Sequence, residues 1–227
     1  MSVKKKNNKI VSILGCGWVG EALFHLLEQE YLLVHCLGKD IEKNDKENRY
    51  HCDVLVIAIP PRGDYVEVLK ETMQRVAIAT QVILLSSISF YEGKPLVVEA
   101  EALLTQLHEE VVILRLGGLM GYDRIAGKYT AGKVVLADSN TNYVHRDDVV
   151  GIIKEIITQG VVNEVFDIVA PLQSTKQKIF SQNSKRFGFA DTEFLEGYKR
   201  GKELSPAKVC KRLGYTFKNE DVDGFWD

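Results

Sequence analysis

Three glycines spaced as Gly15-Cys16-Gly17-Trp18-Val19-Gly20 are the residues of this chain whose spacing most clearly implies chemistry. A turn without side chains lets main-chain N–H groups close on an anion. The spacing G-x-G-x-x-G between a strand and a helix marks a loop that cradles the diphosphate of a dinucleotide. Gly15 permits the tight turn, Gly17 lets the backbone approach the diphosphate, and Gly20 lets helix and strand pack closely. Trp18 and Val19 open the helix and complete the loop. Two residues bear on which dinucleotide would fit. Asp40 stands about 20 residues past the loop, where an acidic side chain holds the ribose 2′-hydroxyl of NAD. Lys39 is the first side chain after a strand that ends near Leu37-Gly38, and a cation there suits the 2′-phosphate of NADP. The reading leans to NADP and leaves NAD open. Pro60 and Ser86, each at the end of an apolar run, complete the expected cofactor contacts.

Other polar residues carry less specific signals. Tyr122-Asp123-Arg124 lies in a loop after an apolar strand, a natural lip for a substrate cleft, which makes Arg124 a candidate substrate contact. His145 and Arg146 stand where a loop turns into a helix and suit a substrate phosphate, although such turns are often simply polar. Arg62 after Pro60-Pro61, and the cluster Lys199, Arg200 and Lys202, read as solvated surface. His25 and His35 fall within a helix and a strand and read as structural.

These residues need a frame, and the apolar pattern supplies it. Ile10–Leu14, Leu32–Leu37, Asp53–Ile59, Val82–Leu85, Val111–Leu116 and Glu164–Val169 read as strands. Helices with 3.6-residue periodicity separate them: Val19, Ala22, Leu23, Leu26 and Leu27; Val66, Leu69, Met73 and Val76; a short one with Ala100, Leu103, Leu104 and Leu107; and one opened by Asp147-Asp148. Strand–helix alternation with continuous apolar strands predicts an α/β fold, a Rossmann-type doubly wound parallel sheet with a small C-terminal α/β extension. The polar stretch Lys39–Cys52 predicts a third strand that is shortened or absent. Ser174 with Gln177 predicts a capping box, and Ser205-Pro206 with Gly214 bounds a last short helix. The expected division is 1–170 for the dinucleotide domain and 171–227 for a substrate-side region packed on it.

Composition narrows the function class. The 227 residues are 45% hydrophobic and 26% charged, and their net charge of -2 offers no field for nucleic acid or anionic lipid. No apolar run reaches the roughly 20 residues of a membrane helix, and the polar start lacks a signal-peptide core. Cys16, Cys36, Cys52 and Cys210 are scattered without a CxxC pair. This predicts reduced thiols in a cytoplasmic protein and no metal site.

Four segments in order resemble the extended and atypical short-chain dehydrogenase/reductase superfamily, the NAD-dependent epimerase/dehydratase group. They are the glycine loop; Leu84-Leu85-Ser86-Ser87-Ile88-Ser89-Phe90-Tyr91; Arg115-Leu116-Gly117-Gly118-Leu119-Met120-Gly121; and Tyr143-Val144-His145-Arg146-Asp147-Asp148-Val149. The ending with Lys208 and Leu213-Gly214-Tyr215 is similar too. The resemblance implies that Ser87 hydrogen-bonds the reacting carbonyl or hydroxyl of a substrate. It also implies a tyrosine general acid-base with a lysine four residues later, on the helix after the serine strand. Here Glu92–Leu107 holds no tyrosine, and Tyr198 with Lys202 is remote and interrupted by glycine. Tyr91 is the nearest substitute. The expectation is an NAD(P)-binding oxidoreductase or epimerase-like protein acting on a small polar or nucleotide-linked substrate. The alternative is a dinucleotide-binding sensor or partner-binding protein without catalysis. The superfamily often dimerises through helices, which leaves a homodimer open.

Overall fold

The computed structural model describes residues 6–38, 49–76, 81–135, 137–197 and 202–227. The readings made on Lys39, Asp40, Tyr198, Lys199 and Arg200 lie outside them. The chain divides into two compact units, Met1–Arg115 with Val150–Phe166 and Leu116–Val149 with Asp167–Asp227.

The first unit carries the alternation foreseen in the apolar pattern. Strand β1 (Asn7–Leu14) leads into α1 (Trp18–Leu27) and β2 (Tyr31–Leu37); β3 (Val54–Ile57) follows, then α2 (Tyr65–Arg75) and β4 (Gln81–Ser87). Helix α3 (Pro95–Leu107) and β5 (Val111–Leu116) complete this run. The six-stranded central sheet has the order β2-β1-β3-β4-β5-β9, where β9 is Glu164–Ile168, and it is parallel. Strands covered on both faces need apolar residues at every position, and Val54, Leu55, Val56 and Ile57 of β3 are all 0% exposed. Among the described residues β2 is the sheet edge, and the chain reverses its direction of growth between β1 and β3. Crevices that bind ligands form at the carboxyl ends of strands at such a reversal.

The helices obey the predicted periods. Val19, Leu23 and Leu27 of α1 are buried, as are Val66 and Leu69 of α2. Helix α3 departs from its predicted shortness. Pro95, compatible with a first turn whose N–H needs no partner, starts it early, and it runs for 13 residues. Gln81 opens β4 by donating from Nε2 to the carbonyls of Ile156 and Val161 at 3.2 and 2.5 Å.

One sequence expectation fails in this unit. Cys16 and Cys36 form a disulfide with their Cα atoms 5.8 Å apart, so these thiols are not the reduced pair foreseen. The reason is register. Ile13 of β1 sits beside Cys36 of β2, and the glycine turn then folds Cys16 back over that strand end. A separation of 20 residues gives no CxxC signature, so only the parallel pairing reveals the contact. Cys52 and Cys210 are free, and burial pushes the Cys52 thiol up to about 11.

In the second unit β6 (Gly118–Met120) pairs in parallel with β8 (Tyr143–His145), and β7 (Val134–Val135) with β10 (Glu193–Phe194). Helix α4 (Arg146–Gln159) begins here; α5 (Lys176–Phe187) and α6 (Ala207–Leu213) follow. Ile125, Tyr143, Ile179, Phe180, Val222 and Trp226 are central to its core. The foreseen capping box at Ser174 shifts by one residue. Thr175 is the N-cap of α5, its side chain accepting from the Lys178 N–H at 3.3 Å, while the Ser174 main chain is held by Thr141. Gln173 stands in for a strand: its amide accepts from the N–H groups of Asn142 and Tyr143 and donates to the carbonyls of Tyr143 and Ala170. No helix among the described residues is long and apolar enough to cross a membrane.

Candidate dinucleotide and active site

The loop Gly15–Gly20 leaves the carboxyl end of β1 at the reversal point. Gly15 holds a φ of +96°, and a Cβ there would lie 2.6 Å from Ile59 Cγ2. Its N–H donates to the Leu37 carbonyl at 2.8 Å, which fixes the turn against β2. A Cβ at Gly20 would overlap the Gly15 carbonyl, so α1 can begin this close to β1 only with glycine at that position. Gly17 differs from both. Its missing Cβ would meet nothing within 4 Å. It also stands at the N-cap of α1 with no side chain capping the helix. The arrangement is an open place above main-chain N–H groups and the positive end of a helix dipole, suited to a diphosphate. Trp18 and Val19 open α1, Val19 buried and Trp18 half-buried. Pro60 is exposed, one residue past the Ile59 that packs against Gly15.

At the end of β4 the two serines have separate partners. The Ser86 hydroxyl is buried and donates to Glu101 Oε1 at 2.6 Å. Ser87 is half-buried, and its Oγ accepts from the Ser89 N–H at 3.1 Å and the Ser89 hydroxyl at 3.0 Å, capping the 3-10 turn Ile88–Glu92. Tyr91 lies within that turn, its hydroxyl accepting from Arg115 Nη1 at 3.2 Å. The same guanidinium donates to Glu101 through Nη2 at 2.8 Å and lies 3.5 Å from the Phe90 ring centre. Arg115 thus ties Tyr91 to the carboxylate that holds Ser86. Sequence reading missed Glu101 and this role of Arg115. Their signal was there: one acid on the apolar face of α3 and one base inside the apolar run of β5.

In the second unit His145 is 5% exposed, packed between the rings of Tyr122 and Phe225 at centroid distances of 5.3 and 5.4 Å. A Cβ at Gly121 would strike its imidazole, so only glycine admits the ring there. Nδ1 accepts from the Asp147 N–H at 3.3 Å. Burial pushes the imidazole pKa down; Asp147 and Asp148 oppose this, and Arg146 adds to it. A neutral ring with aromatic neighbours is a packing element as much as a contact. His145, Tyr122, Asp147, Asn219 and Trp226 border a cavity of about 340 Å³. Arg124 is half-buried, and its carbonyl accepts from the Trp226 indole N–H at 3.1 Å. Asp148 carries a role the sequence did not disclose. It is 0% exposed and accepts from the Tyr215 hydroxyl, the N–H groups of Lys218 and Asn219, and the Asn219 amide, at 2.7 to 3.0 Å.

Comparison with known proteins bears on the frame that holds these groups. No protein-family model matches the chain. It is 27% identical to Protein YeeZ of Escherichia coli (strain K12), across 94% of this chain and 97% of that protein. A solved protein of Methylobacillus flagellatus, of the NAD-dependent epimerase/dehydratase type, superposes with a TM-score of 0.78 at 21% identity over 96% of each chain. The fold is that of the extended short-chain dehydrogenase/reductases. UDP-glucuronic acid 4-epimerase from Bacillus cereus, solved in complex with NAD, shares it with a TM-score of 0.68 at 16% identity, covering 91% of this chain and 92% of its own.

Proposed function

We propose that this protein is an NAD(P)-dependent oxidoreductase or epimerase-like enzyme acting on a small molecule, with residues 171–227 on the substrate side. The observation that carries the reading is the contrast within the glycine loop. Gly15 and Gly20 are filled tightly by their surroundings while the space above Gly17 is open. The NAD complex of the Bacillus cereus epimerase with the same fold supports it. In this reading Gly15, Gly17, Trp18, Val19 and Gly20 hold the diphosphate, with Pro60 and Ser86 beside it. Lys39 meets a 2′-phosphate if the cofactor is NADP. The dinucleotide supplies hydride transfer. Ser87 orients the reacting oxygen of the substrate, Arg124 and His145 contact the remainder, and Tyr91 exchanges the proton.

Arg115 gives Tyr91 a physical basis for that work. It donates to the phenol oxygen and sets positive charge beside the phenolate that proton transfer would leave. The alternative of a sensor without turnover is favoured by a different observation: Glu101 neutralises that guanidinium, and α3 carries no tyrosine. Calorimetric titration with NAD and NADP tests the proposal. The parent binds one of them, and Gly17→Ala binds at least about tenfold more weakly with an unchanged melting temperature, because the methyl occupies the diphosphate position and nothing else. A parent with no affinity for either nucleotide overturns it. Full turnover by Ser87→Ala of any substrate found would remove that serine's role.

A further inference from the structure

A cavity of about 590 Å³ lies within the second unit, lined by residues that none of the roles above employ. Its walls are Val134 and Val135 of β7, Phe194 of β10, Leu195, and Phe180 of α5. The parallel pairing sets Val135 beside Phe194, and the rings of Phe194 and Phe180 stand 5.6 Å apart. Val134 and Leu195 are 61% and 52% exposed, large apolar residues that the fold itself leaves uncovered. Apolar surface gathered in a concavity of this size is the usual lining of a small-molecule site.

The polar groups of the lining are few. The Thr130 hydroxyl is spent on the Gly127 carbonyl at 3.1 Å and the Thr192 hydroxyl at 2.9 Å. Lys176 opens α5 and uses its main-chain N–H on the Ser139 carbonyl, but its ammonium has no hydrogen bond or ion pair among the described residues. Tyr143 is 8% exposed, held in place where its ring covers Gly118, and its hydroxyl has no partner among the described residues. Its burial pushes the pKa up, so it remains a donor. The described lining includes no carboxylate.

We infer that this cavity binds an organic acid with an apolar body, an aromatic or medium-chain aliphatic carboxylate. Lys176 and Tyr143 supply the polar contacts, while β7, β10 and α5 enclose the hydrocarbon. The inference goes beyond the roles proposed above and stands on the cavity's own lining. A nucleotide sugar fits poorly, since its two phosphates would meet one cation and its ribose and sugar hydroxyls would meet apolar walls. A lone carboxylate matches one ammonium and one phenol.

Calorimetry on the full chain tests the inference with 2-naphthoate and decanoate as acids, 2-naphthylmethanol and decanol as neutral counterparts, and UDP-glucose. At least one acid binds with one site per chain, about tenfold or more tighter than its alcohol, in keeping with a charged hydrogen bond. Lys176→Met brings acid and alcohol to within about twofold, and Val135→Glu abolishes acid binding, both with unchanged NAD(P) affinity. Binding of neither acid, equal binding of acid and alcohol by the parent, or tighter binding of UDP-glucose overturns the inference. The two readings fail separately. Gly17→Ala weakens nucleotide binding and leaves acid binding unchanged, and Val135→Glu does the reverse.

Discussion

Gly17 and Gly20 belong to one motif but answer to different forces. Gly20 is required by packing, since any side chain would press on the Gly15 carbonyl, which α1 cannot move away from without leaving β1. Gly20→Ala is therefore expected to cost about 2 kcal/mol of folding stability in urea denaturation, while Gly17→Ala leaves stability unchanged. Equal losses at both sites would show that the loop is fixed by fold alone. His145 provides a prediction in pH. Its folded pKa lies below the ordinary value of about 6.5, so the folded state prefers the neutral ring. The stability it permits is intact above about pH 6.5 and is lost as pH falls through that value and then through the lower folded pKa. Between pH 7.5 and 5 the parent should lose more stability than His145→Asn, read from denaturation midpoints at each pH. A parallel decline in both proteins would sink this assignment.

Elements place side chains that single-residue reasoning cannot connect. Glu101 on α3 and Arg115 on β5 have side chains 5% and 15% exposed, and they hold Ser86 and Tyr91 respectively. Glu101→Gln removes the charge facing a half-buried guanidinium, and the expected cost is about 2 kcal/mol, seen as a lowered urea midpoint. Asp148 does comparable work at the start of α4. Asp148→Ala should abolish hydrogen-exchange protection at the amides of Lys218 and Asn219 while leaving β1 and β3 protected. Persistent protection at those two amides would mean that other contacts hold the segment. The bond between Cys16 and Cys36 closes a loop of chain around α1, and loop entropy assigns it roughly 3 kcal/mol. Cys36→Ser should lose about that much in urea, and reductant should lower the parent to the same midpoint without affecting the variant.

At the scale of the molecule, the sheet was readable because its strands are apolar at consecutive positions. Val54–Ile57 is apolar throughout and fully buried, and Val11, Ile13 and Leu14 of β1 are fully buried with it. The glycine loop was readable because backbone geometry permits few substitutes for Gly15 and Gly20. The rest was not, for one physical reason. The partnerships of Cys16 with Cys36, Ser86 with Glu101, and Asp148 with Lys218 and Asn219 join residues whose separation in sequence has no fixed period, and only strand register and helix packing bring them together. The Ser174 cap was misplaced by one position, since the helix begins one residue later and Thr175 takes the capping place. The order in which the chain visits the two units has its own consequence. It enters the second at Leu116, returns at Val150, and crosses again at Asp167, so no single cut separates them. A polypeptide halted at Ala170 would still contain Ile125, Ala126 and Tyr143, but Ile179, Phe180, Val222 and Trp226 would be gone from their sides. Such a shortened product would carry a stranded greasy segment midway along its length, and it should sediment as aggregate.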